Sequence, residues 1–86
     1  MSKEKNKKLK ISDMSFDYSL PELQFSGNKE VVIEGSRGVL EYNQDKIRIN
    51  TNSMVITFCG RNLNLRCISS SALIIDGFIL NVEFTL

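Results

Sequence analysis

From Val39 onward, every gap between candidate strands is only two or three residues long. Asn43-Gln44-Asp45, Asn52-Ser53, Gly60-Arg61, Ser69-Ser70-Ser71 and Asp76-Gly77 each interrupt a run of alternating or continuous apolar residues. Parallel neighbours in one sheet need a crossover of about a dozen residues or more, so links this short join antiparallel strands. No long amphipathic helical pattern lies between them. The chain is therefore predicted to be all-β, each strand beside the last in meander order.

Seven short strands are expected: Val31–Glu34, Val39–Tyr42, Lys46–Thr51, Met54–Cys59, Asn62–Ile68, Ala72–Ile75 and Phe78–Leu86. Asp76-Gly77 reads as a hairpin dipeptide, because both positions of a two-residue turn require positive φ. Strict alternation puts Ile47 and Ile49 on one face of their strand, and Leu63, Leu65 and Cys67 on one face of theirs. Phe78, Leu80, Val82, Phe84 and Leu86 share a face in the last strand. The expected core is Ile47, Ile49, Leu63, Leu65, Phe78, Leu80 and Phe84. Two strands are apolar on both faces: Met54–Cys59 and Ala72–Ile75. One layer cannot bury both, so the sheet either folds into a sandwich or barrel or is covered by another chain. Val55, Leu73 and Ile75 are the candidate interface residues for the second case. A free strand edge also leaves the chain open to homo-oligomer formation.

Eighty-six residues make one small domain, which buries only about 60–65% of its unfolded surface. Its expected parts are a lysine-rich disordered tail over residues 1–10, a poorly patterned lead-in over 11–21, and a β domain over 22–86. The tail carries Lys3, Lys5, Lys7, Lys8 and Lys10 against Glu4, a net +4. The whole chain is +1, so the remainder is −3. Such a tail is solvated, or makes weak peripheral contact with an anionic membrane. Lysines without an apolar run behind them do not read as a secretory signal.

The chemistry of the residues points away from catalysis. The chain has no histidine, the commonest general base and metal ligand. Glu22, Glu30, Glu34, Glu41, Asp45, Asp76 and Glu83 are spread over turns and strand exteriors. Glu34 and Glu41 could face each other across a hairpin, but they read as solvated edge charges. Cys59 and Cys67, eight positions apart, match no zinc spacing and read as reduced, packed thiols. No catalytic, cofactor-binding or metal-binding residue is expected. Small β-barrels often bind single-stranded nucleic acid through a basic groove with exposed aromatic residues. Here Phe58, Phe78 and Phe84 read as core. Arg37, Arg48, Arg61 and Arg66 are interleaved with acids, so nucleic-acid binding is the alternative rather than the leading reading.

The run VVIEGSRGVLEYNQDKIRINTNSMVITFCGRNLNLRCISSSALIIDGFILNVEF carries IEG followed by RGVLEY, then KIRINT, a strand ending in G-R-N-L, and LIIDGFI leading into VEF. In this order these features resemble the YabP/YqfC family of sporulation proteins, with the closer similarity to the YqfC branch. The resemblance covers roughly residues 20 to 86 and leaves the lysine-rich start outside. It implies a non-enzymatic, cytoplasmic protein of endospore-forming bacteria. Such a protein would act in the mother cell as an interaction module, with a membrane-bound sporulation protein as partner.

Overall fold

The computed structural model describes residues 20–86. The lysine-rich tail and most of the lead-in lie outside the described residues. Among the described residues there are six strands: β1 Glu22–Ser26, β2 Glu30–Glu34, β3 Ser36–Tyr42, β4 Lys46–Thr51, β5 Val55–Cys67 and β6 Ala72–Thr85. Every pairing is antiparallel, and the order across the sheet is β1-β2-β6-β5-β4-β3. The all-β expectation holds, and β3 to β6 form the meander that the short turns require.

Six strands replace the expected seven because two expected turns are not turns. Met54–Cys59 and Asn62–Ile68 merge into β5, and Ala72–Ile75 and Phe78–Leu86 merge into β6. Glu22–Ser26, in turn, is a strand that the sequence pattern did not single out. Gly60 and Gly77 mark the places where β5 and β6 pass close to each other. A Cβ at Gly60 would lie 1.8 Å from the Phe78 carbonyl oxygen, and one at Gly77 would lie 2.5 Å from that of Asn62. Gly77 also has φ +128°, a conformation that side-chain-bearing residues rarely adopt. Asp-Gly supplies the positive φ of a hairpin equally well. Here the flexibility lets two long strands stay paired through a bend.

That bend gives the sheet two halves. In the first, β1 pairs with β2, β2 with Ala72–Asp76 of β6, and that segment with Asn64–Cys67 of β5. In the second, β3 pairs with β4, β4 with Val55–Cys59 of β5, and the start of β5 with Phe78–Thr85 of β6. The chain passes from first half to second at Gly35, so β2 and β3 are adjacent in sequence yet unpaired. Gly35 N and Ser36 N both donate to the Ser71 carbonyl at this crossing, at 3.0 Å each.

Residues directly opposite in antiparallel strands share a face. In the first half this groups Val31 with Ile75 and Leu65, and Ile33 with Leu73. In the second it groups Ile47 with Phe58 and Val82, and Ile49 with Ile56. Both groups belong to one buried cluster with Leu63 and Ile79. A flat single layer leaves each face to solvent, so full burial of both groups means that the sheet folds over on itself. The intramolecular solution, a folded two-layer sheet, covers the apolar faces. Each large side chain taken out of water here contributes about 1.5–3 kcal/mol.

The core differs from expectation in the last strand. Ile47, Ile49 and Leu63 are buried and Leu65 is half-buried, but Phe78, Leu80 and Phe84 are 45%, 63% and 54% exposed. For Phe78 and Leu80 the cause is a bulge. Ile79 lies opposite Gly60 and Asn81 opposite Cys59, leaving Leu80 unpaired between them. One extra residue flips the phase of the alternation. Ile79 points inward before the bulge, and Val82 and Phe84 take the inward phase after it.

Candidate functional site

The structure disperses the ionisable residues. Glu34 lies opposite Glu22 and Ala72, while Glu41 lies opposite Arg48 in the other half, with 3.9 Å between their charged groups. The Glu34–Glu41 hairpin considered from sequence does not exist, because β2 and β3 do not pair. Arg66 reaches Asp76 at 3.3 Å and Glu30 at 3.8 Å across the outer face of the first half. These ion pairs are solvent-exposed, so each contributes at most about 1 kcal/mol. Cys59 is half-buried and Cys67 is exposed, both free, so Cys67 is not the packed thiol that alternation implied. Among the described residues, no three acidic or thiol side chains gather as a metal site would require. An open depression is lined by Asp45, Cys59, Gly60, Arg61, Asn62 and Leu80. It offers one carboxylate, one thiol and one guanidinium around main chain.

The three candidate interface residues do not share a surface. Leu73 and Ile75, at 4% and 0% exposure, lie in the buried cluster between the two halves of the sheet. Val55 is half-buried opposite Asn50 and Thr85, at the far end of the second half. Its neighbours lie on the face that carries Arg48 and Glu83, away from the core. The apolar surface that is exposed lies elsewhere, at the strand edges. It includes Phe25 on β1, Val39, Leu40 and Tyr42 on β3, and Phe78, Leu80 and Phe84 on β6. Sequence alternation had assigned the last three to the interior. The bulge at Leu80 turns Phe78 and Leu80 away from it, and a glycine on the partner strand is its one sequence trace; Phe84 keeps the inward phase but has no cover.

Among the described residues the folded-over sheet has four outer edges: β1, β3, the second part of β5 and the second part of β6. Three are obstructed. β1 is only five residues long, begins after Pro21 and carries Glu22. β3 contains two register irregularities against β4, and bulges twist an edge away from pairing. The second part of β5 has its edge occupied by the β3–β4 hairpin. Leu63 N donates to the Gln44 carbonyl at 2.9 Å, and Leu65 N donates to the Tyr42 hydroxyl at 3.2 Å. The fourth edge differs. Gly77 N and Ile79 N donate to the carbonyls of Lys29 and Asn28. Beyond Ile79, no described residue pairs with the outer edge of β6.

The chain belongs to the YabP family, whose model matches residues 19–86. Membership makes it a sporulation-related protein. No curated protein and no solved structure matches the chain.

Proposed function

We propose that this protein is a non-enzymatic interaction module of the sporulating mother cell, close to the YqfC branch of its family. It would act in the cytoplasm by docking a membrane-bound sporulation protein. The observation that carries the reading is the surface itself. In a chain of a sporulation family, apolar side chains concentrate at strand edges: Phe25 and Phe78 near the β1–β2 turn, Leu80 and Phe84 along β6. Exposed apolar patches on small domains mark protein-docking sites. Among the described residues no helix is long and apolar enough to cross a membrane.

One observation favours nucleic-acid binding as the second reading. Lys29 lies 5.3 Å from the centre of the Phe78 ring, and Arg61 lies opposite Phe78 on β5, so cations surround an exposed aromatic. That ring already carries a lysine over one face, which leaves less of it for a base to stack on. Co-expression with a candidate membrane-bound sporulation protein, followed by detergent extraction and purification, separates the two. The interaction reading expects co-purification of the pair and no gel shift of single-stranded oligonucleotides at moderate salt. A salt-sensitive shift that persists without residues 1–10, and no co-purification, would reverse the assignment.

A further inference from the structure

We infer that two copies of this chain pair edge to edge along the second part of β6, antiparallel about a two-fold axis at Phe84. Three features of that edge carry the inference. It is the one edge of the folded sheet that no described strand, hairpin or bulge obstructs over its last residues. It has a single charge, Glu83, between Gly77 and Leu86. Its inward-phase residues lack cover on their outer side. Ile56 is fully buried, whereas Phe84 directly opposite it is 54% exposed. Among the described residues no strand lies beyond this part of β6.

The occupant follows from self-complementarity. A two-fold pairing of identical strands places residues i and j opposite when both have the same face, so the axis falls on a residue. With the axis at Glu83, two carboxylates oppose each other. With the axis at Val82, the pairing runs into the bulge at Leu80. With the axis at Phe84, the ring meets its own copy, Val82 meets Leu86, and Glu83 meets Thr85. Apolar residues then face apolar ones, and the carboxylate faces a hydroxyl. The second half of the sandwich would continue through the axis into the second half of the other copy. This pairing does not depend on which membrane protein the chain serves.

Sedimentation of the full chain at high micromolar concentration should give about twice the 9.8 kDa chain mass. The register is tested by cysteine placement in a Cys59→Ser, Cys67→Ser background. Phe84→Cys should form a disulfide-linked dimer under mild oxidation, and Thr85→Cys, which faces Glu83 of the other copy, should not. Should the cysteine variants fold poorly, surface charge at Thr85 gives an independent readout. Thr85→Glu opposes Glu83 and should weaken the dimer, and Thr85→Lys should tighten it, by about 2- to 30-fold in Kd for the two symmetric pairs. Wild-type protein that stays monomeric, with Phe84→Cys no more cross-linked than Thr85→Cys, would overturn the inference. So would a monomer whose Phe84→Lys variant loses the membrane partner, since the edge would then belong to that partner's strand.

Discussion

The two ends of the long β5–β6 ribbon are built by the same device and finished differently. On each side the carbonyls of a hairpin turn accept hydrogen bonds from the ribbon where it bends. Asp45 and Gln44 accept from Gly60 N and Leu63 N on β5, and Lys29 and Asn28 accept from Gly77 N and Ile79 N on β6. On the β5 side the seal continues, because β3 runs seven residues and ends in Tyr42, whose hydroxyl takes Leu65 N. On the β6 side β1 runs five residues and ends in Ser26, and the seal stops at Ile79. Two more residues and one phenol decide whether an edge is closed or left for another chain. Fold and docking surface thus come from one strand pairing scheme.

The bend itself should be the most sensitive place. Gly60→Ala sets a Cβ against main chain that both halves hold in place, and should cost about 4 kcal/mol or more, enough to unfold a marginal domain. Gly77→Ala should follow closely, with added strain from its positive φ. Gly27 also has positive φ, but a Cβ there meets nothing within 4 Å, so Gly27→Ala should cost only about 1 kcal/mol. Urea melts ranking Gly27→Ala beside Gly60→Ala would refute the crossing-point account. Next in size is the core. Leu63→Ala should cost about 2–5 kcal/mol. Leu65→Ala, half-buried on the same strand, should cost less. Equal losses would mean that the sealed edge is as deeply buried as the centre.

Tyr42→Phe probes the seal with little change of shape. It removes the acceptor for Leu65 N and should cost about 0.5–1.5 kcal/mol. It should also speed amide exchange at Leu65 while leaving β6 unchanged. Smallest of all, Arg66→Ala should shift stability by at most about 1 kcal/mol, and less in high salt, since both its ion pairs are exposed.

Much of the fold was legible because turn length is a hard constraint. Connections of two or three residues fixed β3 to β6 as antiparallel neighbours, and alternation put Ile47, Ile49 and Leu63 inside. What stayed hidden depended on distant partners. Gly60-Arg61 and Asp76-Gly77 look the same whether the chain turns back or passes a neighbouring strand closely. The choice is made by β2 and β4, which hold opposite ends of the ribbon. Gly35 is equally mute: nothing local says that β2 and β3 part company there. The candidate interface residues are a related case. Val55, Leu73 and Ile75 were singled out because their strands are apolar on both faces. Periodicity cannot say which face the folded-over half will cover, and for Leu73 and Ile75 it covers the one in question. A single bulged residue turns Phe78 and Leu80 outward, whereas Phe84 keeps the inward phase of Val82 and is exposed for want of a strand over it.

The contrast between the sealed edge and the open one is tested most directly by amide hydrogen exchange, followed residue by residue as protein concentration rises. Exchange between Val82 and Thr85 should slow with concentration as a second copy covers the β6 edge, while Asn62 to Cys67 should exchange at rates that do not change. Protection at Val82–Thr85 that is independent of concentration, or that rises in step with Asn62–Cys67, would contradict the account.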